Sequence, residues 1–371
     1  MAQAYVGEEV ESSRSSSRLR VWRTELHAIL PLVLIALATI VTAEFVKYLA
    51  IGGVDESIFR RLYSFGRFWV MAIPALLPML FFRQWLFERP ASPTMALVRG
   101  VPRYFTADGR FVAGFCMILV VQPFIRAFAE LKALITYVQP FSWDQTFERW
   151  DRILHFGYHP WEWLQPLLGY GPVSMLININ YNFWFLTLTM YWLHFAFRET
   201  NYHLRLQAML AYLLTWTVGG VGLAMYFSSA GPCYFGNLDL GHNPYAVLMT
   251  YLRQTNETWP LWALGLQDML WMNYSMNYGE ALTKGISAMP SMHNAQSVLL
   301  VLATWNKHRL IRNLAIAHGV LVFLGSIHLG WHYAVDAYLA FAIAGIAWIV
   351  AGYGASAWEK RRQVSLAVSY P

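Results

Sequence analysis

Charged residues are scarce in this chain: Asp, Glu, Lys and Arg make up 13% of its 371 residues, roughly half the share of a typical soluble protein. The sequence contains 2 cysteines, too few for the disulfide framework of a small secreted fold. Hydrophobic residues make up 57%, which excludes intrinsic disorder except at the two ends. An ordinary soluble protein and a disulfide scaffold are therefore both excluded.

Apolar and aromatic sequence is what the chain has in abundance. The 17 Trp, 21 Tyr and 23 Phe suit side chains that anchor a protein at membrane interfaces. A helix needs roughly 20 apolar residues to cross a bilayer core about 30 Å thick. Such windows occur near residues 26–48, 66–87, 111–136, 181–198, 206–228, 291–306, 313–330 and 333–355. The sequence therefore predicts an all-α, polytopic membrane helix bundle of about eight transmembrane helices.

The predicted spans divide the chain into four regions. Residues 1–25 are polar and rich in Ser and Arg, which is typical of a disordered tail. Residues 26–180 hold the leading spans and an aromatic, amphipathic stretch that we expect to lie along the membrane interface as a structural cover. Residues 181–355 form the membrane core that carries the candidate catalytic residues discussed below, and residues 356–371 form a second tail.

The distribution of basic residues predicts the orientation of the bundle. Loops that contain Lys and Arg near span ends are retained in the cytoplasm. One set of alternate loops holds 17 of the 27 basic residues and the opposite set holds 9. This bias predicts that both termini are cytoplasmic and that the long loops 137–180 and 229–290 lie on the outer face. The net charge of +6 is then explained by contact with anionic membrane lipids, and no nucleic-acid-binding module is evident.

The first candidate catalytic segment lies where the second outer loop meets a predicted span. It contains Pro290, Ser291 and His293. Proline suits the first turn of a helix, whose free backbone N–H groups attract anions. Ser291 can add a hydroxyl donor there, and His293 can deliver a proton near neutral pH. This segment therefore predicts an anion site at a helix start.

The second segment stands at the outer start of the last predicted span. His332 and Asp336 are four residues apart, so a helix places them on one face. A carboxylate in that position can hold one imidazole nitrogen protonated and leave the other free to attack. Because a helical hairpin separates His293 from His332, we expect both histidines to meet at one membrane depth.

These two segments resemble the second and third signature motifs of the type 2 phosphatidic acid phosphatase superfamily. The first reads Gly285-Ile-Ser-Ala-Met-Pro-Ser-Met-His293, and His332-Tyr-Ala-Val-Asp336 follows about forty residues on. Many members have glycine where this chain has Met292, which is more similar to the branch of aureobasidin-resistance proteins and inositol phosphorylceramide synthases. The resemblance covers roughly residues 181–355.

The resemblance implies an integral-membrane phosphotransferase or phosphatase that acts on a lipid phosphate without a cofactor or metal. His332 would be the nucleophile that forms a phosphohistidine, and Asp336 would orient it. His293 would protonate the leaving oxygen and later deprotonate the acceptor. Ser291 and nearby amides would hold the phosphoryl oxygens.

The chain also departs from the superfamily in its phosphate-binding cations. No lysine is followed seven positions later by Arg-Pro, and Ser326 stands where an arginine is expected six residues before His332. Lys284 and Arg253 are the candidate replacement cations in the outer loop, and either could instead be a solvated loop charge. Tyr226 and the turn at residues 231–232 occupy the place of the missing first motif and are predicted to shape the site.

Three alternatives stay open at this level. Hydrolysis of a lipid phosphate competes closely with transfer of a headgroup, such as phosphoinositol, to a lipid alcohol. A metal-dependent hydrolase could use His328, His332 and Asp336, which repeat every four residues, as metal ligands. A transporter or structural membrane protein could instead line a polar pathway with its histidines. Arg126 and Glu130 are spaced to form a buried pair in the third predicted span.

Overall fold

The fold was examined in a computed structural model, which describes residues 29–50, 52, 74, 76–82, 84–106, 111–277 and 285–368. The described residues form helices and no strand. The predicted tail at residues 1–25, residues 66–73, 75 and 83 of the predicted span 66–87, and Lys284 lie outside them. The principal helices are α1 (Ile29–Ala50), α2 (Pro93–Thr106), α3 (Phe111–Ala133), α4 (Asp144–Leu154), α5 (Pro160–Leu168), α6 (Gly171–Leu193), α7 (Tyr202–Tyr226), α8 (Ala246–Asn256), α9 (Trp262–Ser275), α10 (Met292–Thr304), α11 (Arg309–His328) and α12 (Ala334–Val368).

Within the described residues, five helices are long and apolar enough to cross a membrane: α1, α3, α7, α11 and the part of α12 from Ala334 to Gln363. This supports an integral membrane protein, but the predicted count of eight spans is not confirmed. Helix α6 has sufficient length but carries three asparagines, at positions 178, 180 and 182, which lower its apolarity. Helix α10 has 13 residues, so at 1.5 Å per residue it is about 20 Å long and shorter than the bilayer core.

The core of the bundle is built around α12. This helix packs along α7 and against α10, while α11 packs against α10 and α6. Small side chains let helices approach closely in a membrane protein, and α12 buries a stripe of them. The buried alanines of α12 are at positions 334, 337, 340, 344, 347, 351 and 355. The spacing of three and four residues keeps this stripe on one face of the helix.

The two ends of the bundle have different chemistry. At one end, the Nζ atom of Lys307 lies 2.8 Å from a carboxylate oxygen of Glu199, joining the α10–α11 connection to the end of α6. His293 and His332 lie at the opposite end, because α10 begins beside His293 and α11 ends just before His332. This arrangement agrees with the alternation of loops predicted from the sequence.

The segment predicted to lie along the interface forms α4 and α5. The outward side chains of Trp150 and Ile153 are exposed, whereas Asp144, Phe147 and Asp151 are buried on the opposite side of α4. Exposed apolar residues on one face are what a helix at the hydrocarbon boundary requires. The buried acids face the protein, and their contacts belong to the site described next.

Candidate active site

His293 and His332 lie at the same cavity, although they are 39 residues apart in sequence. Their ring centroids are 6.1 Å apart. His293 is in the first turn of α10, and His332 immediately precedes α12. The packing of α10 against α12 therefore brings the two motif histidines together.

The hydrogen bonds of His332 define its tautomer. Its Nδ1 atom lies 2.9 Å from the carbonyl oxygen of Ala288 and 3.2 Å from Oδ2 of Asp336. A carbonyl oxygen can only accept, so Nδ1 must carry the hydrogen. In the neutral ring the lone pair then lies on Nε2. The geometry thus prepares Nε2 as a nucleophile.

His332 is neutral at physiological pH. Burial lowers the pKa of His332 to about 3, with the hydrogen bond to Ala288 acting in the opposite direction and the charge of Lys132 contributing to the lowering. A neutral imidazole is the form that can attack an electrophile. The site therefore keeps its candidate nucleophile in the reactive protonation state.

Asp336 connects both motifs. Its side chain is fully buried, and Oδ2 accepts hydrogen bonds from His332 Nδ1 at 3.2 Å and from the Tyr333 amide at 3.0 Å. Its own carbonyl oxygen accepts from the amide of Ser291 at 3.2 Å. Asp336 consequently fixes the ring of His332 and also joins the start of α12 to the start of α10.

Aromatic contacts hold the ring of His293. The ring stacks on Tyr181 with centroids 4.6 Å apart and packs against Trp184 at 4.1 Å. The indole Nε1 of Trp184 donates to the backbone oxygen of His293 at 3.0 Å. Both aromatic residues belong to α6, so this helix positions the second histidine.

The shared cavity has a volume of about 300 Å³. Its two histidines lie among apolar and aromatic side chains, and the exposed ring of Phe185 forms part of the lining. The apolar lining comprises Phe128, Trp184, Phe185, Trp216, Leu266, Met269, Leu270, Met292 and Trp331, among others. A cavity of this composition fits a ligand with an apolar portion next to its reacting group.

Ser291 occupies a different position from the predicted phosphate contact. It is fully buried and caps α10, with its Oγ atom accepting from the side-chain amide of Asn294 at 3.0 Å. The same amide donates to Ser326 Oγ at 3.2 Å. Ser291 does not line the cavity in the described structure, whereas Ser287 does. Ser326, the residue at the sequence position where the resemblance implied an arginine, thus belongs to a neutral network around Asn294.

Arg253 does not reach the cavity either. It lies on the surface, where its Nη2 atom is 3.0 Å from Oδ1 of Asp268, and it borders a separate depression. Lys284, the other predicted phosphate cation, is outside the described residues. Instead, Lys132 at the end of α3 lines the cavity with both histidines. The sequence could have identified Lys132, because Lys and Arg are usually concentrated at the cytoplasmic ends of spans and this lysine stands at the predicted outer end of one.

His328 does not line the cavity that His293 and His332 share. Its Nε2 atom lies 2.8 Å from Ser174 Oγ, and the side chain is fully buried. Within the described part of the chain, no group of three or more His, Cys, Asp or Glu side chains is arranged to hold a metal ion. The structure thus gives the metal-dependent alternative no ligand set at residues 328, 332 and 336.

Two buried acids of α4 hold the segments around the histidines, a feature that the sequence reasoning missed. Asp151 accepts from the amides of Ala334 at 2.9 Å and Val335 at 3.0 Å, at the start of α12. Asp144 accepts from the Tyr333 hydroxyl at 2.8 Å. The two acids are seven residues apart, or two helical turns, so their spacing was the available signal.

Asp144 also holds the turn at Gly231. The amides of Ala230 and Gly231 donate to its carboxylate, the latter at 2.8 Å. Gly231 has φ of 103°, and a Cβ atom there would lie 2.7 Å from the carbonyl oxygen of Trp331. Only glycine fits both conditions. This turn therefore shapes the segment before His332, whereas Tyr226 is exposed and packs on Trp143.

Asp151 should make stability depend on pH. Burial raises the pKa of Asp151 from 3.8 to about 7, although the bonds from Ala334 and Val335 act against the rise. Asp151 therefore contributes its full stabilisation below the pKa that it has in the unfolded chain. This stabilisation is lost as the pH rises through the pKa of Asp151 in the folded protein. We expect the Tm in detergent to fall between about pH 4 and about pH 7, and to fall less in Asp151→Asn.

The control for this measurement is Glu148→Gln, which alters a partly exposed acid on the same helix. Part of the decrease of Tm with pH should remain in Asp151→Asn, because burial also raises the pKa of Asp144. An identical dependence of Tm on pH in wild type and Asp151→Asn would contradict the assignment.

A known protein family matches the region of the chain that carries these residues. A model of the PAP2 superfamily matches residues 145–353, more than half of the 371-residue chain. The matched region begins within α4 and includes His293, His332 and Asp336. No curated protein and no solved structure matches the chain.

Proposed function

This chain belongs to the PAP2 superfamily, and from that premise we propose that it transfers a phosphate-containing headgroup of a lipid through a phosphohistidine at His332. The superfamily supports an activity of the phosphatase or phosphotransferase type. The observation that supports the mechanism is that Nδ1 of His332 faces two acceptors, the carbonyl oxygen of Ala288 and Oδ2 of Asp336. It leaves the Nε2 lone pair for a phosphorus atom in the cavity shared with His293.

The proposed reaction has two displacement steps. In the first, Nε2 of His332 forms a bond to phosphorus as the bond to the leaving oxygen breaks, and His293 donates a proton to that oxygen. In the second, His293 takes the proton of the acceptor hydroxyl, the new oxygen–phosphorus bond forms and the nitrogen–phosphorus bond breaks. Asp336 stabilises the positive charge on the imidazole of His332 while it is bonded to phosphorus.

The cavity lining supports a lipid as substrate. Apolar and aromatic side chains surround both histidines, and the phosphate of a membrane lipid lies at the level of helix ends rather than in free solution. The negative charge of a bound phosphate favours the protonated imidazole that His293 needs as a proton donor. A site between helices can therefore receive the headgroup while the acyl chains stay in the membrane.

Transfer to a lipid alcohol is the reaction that we favour, as in the branch of inositol phosphorylceramide synthases. Met292, the residue that suggests this branch, lines the cavity and packs against Gly219 and Gly220 of α7. Its apolar side chain beside His293 favours an acceptor with an apolar body over water. The charge bias of the loops supports a site on the outer face with both termini in the cytoplasm.

The proposal is tested by incubating the purified protein with phospholipids that carry a radiolabelled phosphate headgroup, with and without a long-chain lipid alcohol. We expect label to appear on the alcohol, and a chelator to leave the rate unchanged. Release of water-soluble label at the same rate in both conditions would favour hydrolysis instead. Sensitivity to the chelator would restore the metal-dependent alternative, and absence of turnover with every lipid would support a transporter or structural role.

A further inference from the structure

A phosphate in this cavity needs a positive charge that the described part of the matched region does not provide. His332 is neutral, and the buried network of Ser291, Asn294 and Ser326 beside the motif carries no charge. Transferring a phosphoryl group requires charge stabilisation at its oxygens, and lysine is a common phosphate ligand. Among the described residues that line the cavity, Lys132 is the one Lys or Arg, and none is acidic.

Resting on the function proposed above, we infer that Lys132 binds the phosphoryl oxygens of the substrate in this cavity. The residue belongs to α3 and precedes the matched region, which starts at residue 145. The leading helices would then contribute directly to the active site, in addition to anchoring the protein.

The pairing of cations on α3 supports this assignment. Nε of Arg126 lies 3.0 Å from Oε1 of Glu130, and Nζ of Lys47, on α1, lies 3.9 Å from Oε2 of the same acid. Lys132 is two residues further along α3, and it makes no hydrogen bond or ion pair with any residue that the structure describes. An ionisable residue near the end of a span is costly and is generally retained for function. Among the described residues, Lys132 is therefore a cation without a counterion at the cavity, unlike Arg126 and Lys47.

Gly285 makes room for the Lys132 side chain. A Cβ atom at Gly285 would lie 2.9 Å from Cγ and 3.2 Å from Cδ of Lys132, closer than atoms of this kind normally approach. Gly285 is also the first residue of the segment that leads to His293. The aliphatic part of Lys132 thus packs directly on the motif, and its charge is close enough to contribute to the lowered pKa of His332.

Two substitutions separate charge from packing. Lys132→Met keeps an unbranched apolar stem against Gly285 and removes the charge, while Lys132→Arg keeps the charge and enlarges the head group. A binding role predicts that Lys132→Met is the more damaging, and a packing role predicts the reverse. Arg152→Met is the matched control, because Arg152 is an exposed cation of α4 that does not line the cavity.

The experiment measures kcat/KM with the labelled lipid and the inhibition constant for orthovanadate, an oxyanion that mimics the reacting phosphate. For Lys132→Met we expect kcat/KM to fall and the vanadate constant to rise by about 10- to 100-fold, the range for losing a hydrogen bond to a charged group. Lys132→Arg should lie between this variant and wild type, and Arg152→Met should stay within about twofold of wild type.

Wild-type values in Lys132→Met, for both turnover and vanadate, would overturn the assignment. Vanadate protection against thermal unfolding provides a readout without turnover. Failure of the wild type to act on any lipid would count against the proposed function, while loss of vanadate protection in Lys132→Met alone would still support the phosphate site. If Lys132→Met does not fold, Lys132→Gln replaces it in the same comparison.

Discussion

Replacing His332 with alanine is expected to abolish turnover and protein labelling together. The variant removes Nε2 of His332, the one protein atom that bonds to phosphorus in the proposed mechanism. Loss of a nucleophile typically lowers kcat by at least about 10³-fold. The measurement is single-turnover quenching with a phosphate-labelled lipid, following both product and label bound to the protein.

His293→Ala should have a different kinetic signature. Removing a general acid and base costs about 10²- to 10⁴-fold in rate, but the nucleophile at His332 remains. We expect a slowed formation or slowed resolution of the labelled protein, rather than loss of the capacity to be labelled. Comparing the two variants therefore separates the nucleophile from the proton donor.

His242→Ala is the control for both histidine variants, because His242 is exposed and does not line the cavity. It should retain the wild-type rate within about twofold, as expected for a surface substitution away from the site. If His332→Ala retained labelling or near-normal turnover with its fold intact, the phosphohistidine mechanism would be wrong.

The second large effect is expected at the buried acids of α4. Asp151→Asn leaves two amides of the α12 start with a side chain that can accept from one of them and presents a donor to the other. In Asp144→Asn an NH₂ group replaces one carboxylate oxygen, so it opposes the Ala230 amide if it stands at Oδ2 and the Gly231 amide if it stands at Oδ1. Leaving a buried donor unsatisfied costs about 1–3 kcal/mol, and the displaced segments flank His332.

For each acid variant we expect kcat to fall by about tenfold or more, because small displacements of a reacting group cost large factors in rate. KM should change less, since neither acid lines the cavity. The losses of kcat in Asp144→Asn and Asp151→Asn should not be additive in the double variant, because the two acids bind adjacent residues from Tyr333 to Val335.

Glu148→Gln again provides the matched comparison on α4. Glu148 contacts Arg152 and His159 and makes no described contact with the segment around His332. A normal kcat in folded Asp151→Asn, measured beside this control, would assign the acid a role in stability alone. A loss of kcat with little change in KM and vanadate inhibition would support positioning of the nucleophile.

The helical membrane architecture and the two histidine motifs were predictable from local sequence. Long apolar windows identify helices by composition, and His332 and Asp336 share a helical face through their spacing alone. The number of membrane spans was harder to predict from the sequence. The asparagines of α6 and the short α10 show that a helix can belong to the bundle without meeting the requirements of an isolated span.

The phosphate contacts were the least predictable part of the site. Ser291 follows the sequence pattern of a helix start, but its hydroxyl caps α10 and bonds to Asn294. Arg253 was chosen for its position in an outer loop, and the folded chain pairs it with Asp268. Neither outcome follows from sequence neighbours, because the partners are chosen when distant helices pack.

Local sequence was sufficient to predict a membrane helix bundle with two motif histidines and one partner carboxylate, because apolar length and helical spacing are local properties. The tautomer of His332 follows from its hydrogen bond to the carbonyl oxygen of Ala288, which is seen only in the folded structure. The positions of Lys132 and the α4 acids around the site are likewise seen only there. Those contacts join residues far apart in the chain, and their geometry depends on how closely helices approach. Small residues such as Gly285 and the alanines of α12 set that approach.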